Sequence, residues 1–346
     1  MSHRTRSPHR ILILGGGTAG WMCASLMLRR WQDRAVEISV LESPEIGIVG
    51  VGEGSTPQLK AFFDILGIAE HEWMPACHAT WKTAIESVGW STRPGHERYT
   101  HPFKSDLDDR SAPAFYFNTV MRRRDADVVA HPDAFFLDTF LARRGLAPRA
   151  AHHFPFRAFH GFHFDAQLIG AFLRDWACAR GVSHLQGKVT QVEQREGGAL
   201  RAVHTDDGRR FEPDFFVDCS GFRSLLLQQT LGVDFIPFSN NLFNDAAVAM
   251  PTPQPRGAEI APQTTATALS NGWAWRIPLT DRVGNGYVYS SRYLDRDTAE
   301  RELRAHLGIS QDADVAARHL PMKVGRVAQP WAHNCLAVGL SQGFIE

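Results

Sequence analysis

The stretch Ile11-Leu12-Ile13-Leu14-Gly15-Gly16-Gly17-Thr18-Ala19-Gly20 decides the fold of this chain. Its four leading apolar residues read as a short buried strand. Glycines then turn the chain, Trp21 to Arg30 reads as a helix, and Val36-Glu37-Ile38-Ser39-Val40-Leu41 reads as a second strand ending at Glu42. The spacing Gly15-x-Gly17-x-x-Gly20 has a mechanism. Gly15 permits a tight turn, Gly17 lets backbone approach a pyrophosphate, and Gly20 allows close helix–strand packing. The helix N-terminus then offers free N–H groups to the phosphates. Glu42 stands where an acid accepts hydrogen bonds from a ribose. This is the opening βαβ unit of a doubly wound α/β fold built to bind a dinucleotide.

Working outward, Asp165 occupies a helix N-cap position before Ala166 to Ala179, where Leu168, Ile169, Phe172, Leu173 and Trp176 recur at helical spacing. Leu200 to Thr205, Asp207-Gly208 and Arg209 to Asp218 read as a hairpin feeding a buried strand. Pro251 to Pro262 reads as a loop, and Asn271 to Tyr289 as sheet in a second domain. Cys335 to Gly339 reads as a last strand returning to the first sheet. The nucleotide module is therefore expected to be discontinuous, over 8–60, 160–235 and 325–346, with 61–159 and 236–324 forming a mixed sheet and helical region for substrate.

Composition narrows the partners. The 346 residues carry 37 Lys+Arg against 37 Asp+Glu, so no global field favours nucleic acid or an acidic membrane. Five cysteines lie far apart without a Cys-x-x-Cys pair, which suits free thiols in a reducing cytoplasm rather than zinc or disulfides. Basic His3, Arg4, Arg6, His9 and Arg10 precede an apolar run, but glycines break that run after four residues, so a secretory signal is not expected. No stretch approaches a membrane span. A small molecule is the expected partner, with no metal.

Beyond the nucleotide turn come Gly50-Val51-Gly52-Glu53-Gly54-Ser55-Thr56-Pro57, then Phe62-Phe63-Asp64-Ile65-Leu66-Gly67-Ile68, Glu72-Trp73-Met74, Trp81-Lys82-Thr83-Ala84-Ile85 and Trp273-Ala274-Trp275-Arg276-Ile277-Pro278. With these motifs the chain resembles the flavin-dependent tryptophan halogenase family over nearly its whole length. The resemblance implies a Rossmann-like module of the flavin monooxygenase type, holding FAD used as FADH2 with O2 and chloride or bromide. No second Gly-x-Gly-x-x-Gly is visible for NADPH, so a separate NADH-dependent flavin reductase is expected to supply reduced flavin. The resemblance is also compatible with a homodimer.

By the same resemblance Lys82 is the catalytic lysine. It directs hypohalous acid onto one carbon of an electron-rich aromatic, tryptophan or another indole above all. An ammonium there hydrogen-bonds the oxidant and polarises the halogen, or an amine carries it; burial makes the amine accessible. The flavin contacts implied are Gly15, Gly17, Thr18, Ala19, Gly20, Glu42, Gly52, Glu53, Val189, Asp218, Gly221 and Leu340. Trp273, Trp275, Ile277 and Pro278 would wall the flavin cavity, and His101 and Phe103 would hold the aromatic ring. His160-Gly161-Phe162-His163 has a metal-like pattern, but His163-Phe164-Asp165-Ala166 resembles a family element entering a helix, so no metal is expected.

Two other readings use the same module: a flavin monooxygenase or reductase, and a flavin-binding fragment without turnover. Lys82 together with Trp273 to Pro278 favours halogenation over oxygen insertion. The run Asn334 to Glu346 resembles one that continues Pro-Leu-Glu-[Ser/Ala]-Thr in the family, whose second acid is the catalytic glutamate. Glu346 matches the first acid and is not assigned that role. The expectation is therefore an N-terminal piece lacking a C-terminal helical region, and a poor halogenase by itself.

Overall fold

A computed structural model describes residues 9–47, 50–255 and 257–346; the basic residues His3, Arg4 and Arg6 and position 8 lie outside the described residues. Strand His9–Leu14 pairs in parallel with Val36–Glu42 on one side and Phe215–Asp218 on the other. Ser183–Gln186 and Cys335–Ala337 extend the sheet in parallel at its two sides, and Trp331–Ala332 closes one edge antiparallel. Strands from the start, middle and tail of the chain thus share one six-stranded sheet.

Successive side chains of a strand point to opposite faces, and a parallel sheet is covered on both. Ile11 and Ile13 accordingly pack with Val40, Trp21, Ile169 and Leu173, the last three from the helices Thr18–Trp31 and Ala166–Cys178. Leu12 and Leu14 face the other way, into Leu41, Leu200, Val203, Phe216 and Leu226. Asp165 caps the second helix, accepting from the N–H groups of Gln167 at 2.7 Å and Leu168 at 3.0 Å.

The first helix begins at Thr18, three residues before the sequence reading placed it. Gly17 is its extended N-cap, and Gly20 lies in its first turn against the Gly15 carbonyl, where a Cβ has no room. The motif glycines therefore belong partly to the helix, which a propensity argument resists. Pro251–Pro262 is not wholly loop, since Thr252–Pro253 pairs with Arg282 and Val283. The final strand ends at Ala337, and Gly339–Ser341 forms a 3-10 turn.

The remaining chain builds an eight-stranded sheet, with Gly272–Pro278 and Arg282–Tyr289 as its central hairpin and the helix Arg296–Leu307 packed behind it. Ala84–Val88 joins this sheet in parallel beside Gln263–Leu269. Between the two sheets a small one orders Glu53–Gly54, Gly161–Phe164 and Thr80–Lys82. Its buttress is aromatic: Trp73 stacks on Phe63 at 4.2 Å between centroids and meets Phe162 edge-on at 4.8 Å. Those residues share one core with Ile11 and Ile13, across the division drawn at residue 61.

Candidate active site

Thr80–Lys82 alternates as a strand must. Thr80 and Lys82 are buried, while Trp81 turns the other way and donates from Nε1 to Glu70 at 3.2 Å. Just beyond, Thr83 pins the chain by donating to the Pro262 carbonyl through both its N–H, at 2.7 Å, and its hydroxyl, at 2.8 Å. Lys82 is 5% exposed, and among the described residues no carboxylate pairs with it. Burial without a counter-charge pushes its pKa down to about 8. The Phe103 ring centroid lies 5.7 Å from Nζ, a cation–π distance. His101, two residues earlier, is solvent-exposed on the strand Arg98–Pro102, opposite Ile85.

Behind Lys82 lies a buried polar chain. The Thr80 hydroxyl donates to the Pro278 carbonyl at 2.7 Å and meets His163 Nδ1 at 3.0 Å; His163 Nε2 meets the Thr264 hydroxyl at 2.9 Å. Complete burial, with the charges of Lys82 and Arg276 nearby, holds the His163 pKa well below the usual imidazole range. Gly54 faces this group. A methyl group added there would stand 3.0 Å from Lys82 Nζ, 3.2 Å from Thr264 Oγ1 and 3.5 Å from His163 Cδ2.

The segment before Gly54 joins the site to the aromatic signature. Gly52, at φ 93°, lies within 4 Å of Gly284, Leu279 and Ile277 when given a Cβ, so a side chain there is disfavoured by conformation as well as space. Glu53 accepts from the Val51 N–H at 3.1 Å and lies near the Ala166 backbone amide. Burial, reinforced by the Asp165 carboxylate, pushes its pKa up to about 7. In the strand Gly272–Pro278, Trp275 lays its ring over Gly286 of the neighbouring strand. Trp273 Nε1 donates to Glu346, which also accepts from Asn244 at 2.9 Å. Glu346 thus engages the tryptophan wall and makes no bond to Lys82.

The nucleotide turn has the geometry a pyrophosphate needs. Gly17 has nothing within 4 Å of where its Cβ would stand, no side chain caps the helix, and no acid occupies its first turn with Thr18, Ala19 and Gly20. A phosphate can therefore come up to backbone N–H groups without a competing anion. Glu42 closes its strand beside Gly16, with Oε1 2.5 Å from His184 Nε2. These residues fit FAD. Asp218 behaves differently from a ligand-facing acid: it is fully buried and accepts from Ser220, Leu226, Leu227 and Ser341. It fixes the loop carrying Gly221, at φ 71°, and ties it to the turn holding Leu340. Val189 starts a strand of the sheet formed with Leu200–Thr205.

Sequence reasoning placed Lys82 and Phe103 in one site, and the structure brings them together; it overlooked Thr264 and left His163 without a role. Thr264 sits in the unremarkable run Gln263-Thr264-Thr265-Ala266-Thr267, which offers no signal. His163 had one, as a histidine in an otherwise apolar strand. Among the described residues no three metal-type ligands converge, and His160 is occupied by the Ala158 carbonyl and Glu70. No helix among them is long and apolar enough to cross a membrane. A cleft of about 580 Å³ lined by His9, Trp31, Asp214 and Phe215, and one of about 460 Å³ lined by Arg98, His131 and Asp133, share no residue with this site.

Comparison with known proteins adds an independent line. The family model for tryptophan halogenase matches residues 10–346. The tryptophan 6-halogenase SttH of Streptomyces toxytricini is 39% identical, over 99% of this chain and 68% of its own. The tryptophan 7-halogenase RebH of Lentzea aerocolonigenes is 36% identical, over 97% and 66%. Among solved structures, BrvH, a flavin-dependent halogenase from Brevundimonas sp. BAL3, superposes with a TM-score of 0.85 at 36% identity, covering 98% of this chain and 68% of that one. The chain spans about two thirds of the length of these relatives.

Proposed function

The chain belongs to the tryptophan halogenase family, and from that premise we propose that it serves flavin-dependent halogenation of an electron-rich aromatic ring, an indole above all, through hypohalous acid directed by Lys82. The observation that carries this reading is a buried ammonium, without a carboxylate partner among the described residues, beside an aromatic ring. Isolated charges in protein interiors are expensive and seldom kept without use.

When bound, reduced FAD with O2 and chloride or bromide supplies hypohalous acid. Gly15, Gly17, Thr18, Ala19 and Gly20 would hold its phosphates and Glu42 its ribose, while the Gly52–Glu53 segment and Leu340 would contact its ring. Val189 and Gly221 belong to the same reading, with Asp218 acting through its loop. A separate NADH-dependent reductase would deliver the reduced cofactor.

Lys82 does the directing. Its ammonium donates to the oxygen of the hypohalous acid and gives that oxygen a proton as the halogen passes to ring carbon. The oxygen keeps the electron pair of the broken bond and leaves as water. The proton lost by the ring restores the ammonium, and a pKa of about 8 leaves both forms accessible near neutral pH. Trp273, Trp275, Ile277 and Pro278 keep organic substrate from the flavin, and Phe103 with His101 offers the ring its resting surface.

The experiment supplies FAD, a flavin reductase with NADH, bromide and an indole panel to the full-length protein and to its Lys82→Ala variant. Aryl bromide should require Lys82, while a scavenger should still trap oxidant from the variant. Hydroxylated rather than brominated product would sink the reading in favour of a monooxygenase.

A further inference from the structure

We propose that His160 is a positioning residue for the Lys82–Phe103 pair, holding it as an imidazolium that donates from both ring nitrogens, to Glu70 and to the Ala158 carbonyl. This rests on the function assigned above and adds a proton-dependent clamp to that site.

The proton count follows from the acceptors. His160 is buried, with Nε2 3.3 Å from Glu70 Oε1 and Nδ1 3.1 Å from the Ala158 carbonyl. A carbonyl oxygen only accepts, and so does a carboxylate. Glu70 is a carboxylate: the His160 hydrogen bond foremost, with Trp81 and Arg149 adding, holds its pKa below the usual range despite partial burial. Its Oε2 takes the Trp81 indole at 3.2 Å and Arg149 at 3.4 Å, which leaves Oε1 for His160. A neutral imidazole has one N–H and serves only one of the two acceptors; the imidazolium serves both.

Each acceptor belongs to one side of the site. Glu70 grips Trp81, the neighbour of Lys82 in its strand, and Gly161, next to His160, stands opposite Lys82 in the small sheet. Ala158 forms a bridge with Ser105. Around it the Asp106 N–H donates to the Arg157 carbonyl at 3.0 Å and the Phe159 N–H to the Lys104 carbonyl at 3.2 Å. That pairing begins one residue after Phe103. One imidazolium therefore ties the strand carrying Lys82 to the segment carrying Phe103, whose ring centroid lies 5.7 Å from Nζ. The other charges on these segments are engaged elsewhere, Arg157 with Asp106 and Lys104 with Asp109.

Deprotonation has a defined weak point. A hydrogen bond to a carboxylate is about twice as strong as one to a neutral carbonyl, so the remaining proton stays on Nε2. The Ala158 carbonyl then faces a bare Nδ1, and the bridge beside Phe103 loosens while Trp81 stays held. The clamp is closed in mild acid and opens as pH rises through the range where imidazoles titrate.

His160→Gln imitates the opened state, since glutamine places a donor near Nε2 and none near Nδ1. Nitrogen-15 NMR of histidine-labelled, flavin-free protein, with His160 assigned by its loss in the variant, reads the ring without turnover. Both nitrogens should carry protons at about pH 5.5, and Nε2 alone at about pH 8.5. Hydrogen exchange of the Phe159 amide, taken relative to the variant to cancel the intrinsic effect of pH, should be on the order of tenfold slower in wild type at the lower pH, the worth of about one hydrogen bond. At the higher pH the two proteins should exchange alike. With FAD, a reductase and bromide, the ratio of aryl bromide to scavenger-trapped hypobromous acid should follow the same wild-type-to-variant pattern, a comparison that also cancels the titration of Lys82. A neutral His160 that keeps its proton on Nδ1, or a Phe159 amide that exchanges alike in both proteins at both pH values, overturns the inference whatever turnover shows. So does a product ratio that ignores a working clamp, since His160 would then serve the fold alone. Aryl bromide that survives in Lys82→Ala removes the halogenase reading and the role given to His160 with it, even where the ring nitrogens behave as expected.

Discussion

Lys82 Nζ lies 3.0 Å from the point that a methyl group on Gly54 would occupy. The approach joins the segment before the small sheet to the one buried cation of the candidate site, and it makes Gly54 a position where space rather than conformation is decisive. Gly54 does not have a positive φ, so alanine fits the backbone. The atoms an added methyl would meet are the flexible end of a lysine and the tip of a threonine.

Gly54→Ala should therefore fold normally while displacing the ammonium. A misplacement of about 1 Å costs on the order of 10²-fold in positioned chemistry. Aryl halogenation is expected to fall by about that factor, with a change in unfolding free energy below about 1 kcal/mol. Equal loss of stability and activity would show that Gly54 serves packing.

Lys82 carries a cost that pH should reveal. Its pKa is lowered from 10.5 to about 8, so the folded chain binds fewer protons than the unfolded chain between those values. The penalty is full below pH 8 and fades as pH rises toward 10.5. Each tenfold change in proton affinity is worth about 1.4 kcal/mol, which makes the penalty on the order of 3 kcal/mol. Lys82→Met should raise the urea midpoint at pH 7 and lose that advantage by pH 10. A constant difference across this range would mean that the ammonium is not penalised in the fold.

Local patterns carried most of the fold. The Asp165 cap and the Asp207-Gly208 hairpin are each set by residues within a few positions, and each formed where the sequence placed it. The helix start at Thr18 escaped because tertiary closeness of Gly20 to Gly15 overrides glycine's poor helix propensity. The site was only half legible for a different reason. His163 reaches Thr80 across 83 residues and Thr264 across 101, through a strand register that leaves no local trace. Lys82 could be singled out by resemblance, but the groups that orient its surroundings become visible only once three strands align.

Gly17 separates ligand binding from folding. Its φ of −73° suits any residue, and a Cβ there meets nothing within 4 Å. Gly17→Ala should change stability by less than about 1 kcal/mol, the loss of a good N-cap being partly offset in the unfolded chain. The same methyl group would stand where backbone must approach a pyrophosphate, so FAD affinity should drop tenfold or more, a change of about 1.4 kcal/mol or above. Fluorescence titration of both proteins with FAD and with NAD decides it. Undiminished FAD binding in the variant would move the phosphates elsewhere.

Asp138 sets a second pH dependence, opposite in sign to that of Lys82. It is fully buried, with only the Phe103 backbone amide near enough among the described residues to favour its charged form. Burial first, and the neighbouring Asp108 second, push its pKa up from 3.8 to about 8. A folded pKa above the unfolded one means that the folded state holds the extra proton between roughly pH 4 and 8. Stability from this group is therefore fully present below about pH 4 and is lost as pH rises through 8. Asp108 itself is engaged, accepting from the Ser105 N–H at 2.6 Å and the Leu137 N–H at 3.0 Å. Asp138→Asn keeps the shape and removes the titration. Relative to wild type, the variant should gain stability from pH 5 to about pH 8 and hold a constant advantage above that, measured as urea midpoints in one buffer series at constant ionic strength. Parallel curves for the two proteins would show that Asp138 finds a partner in solution and is ionised at neutral pH.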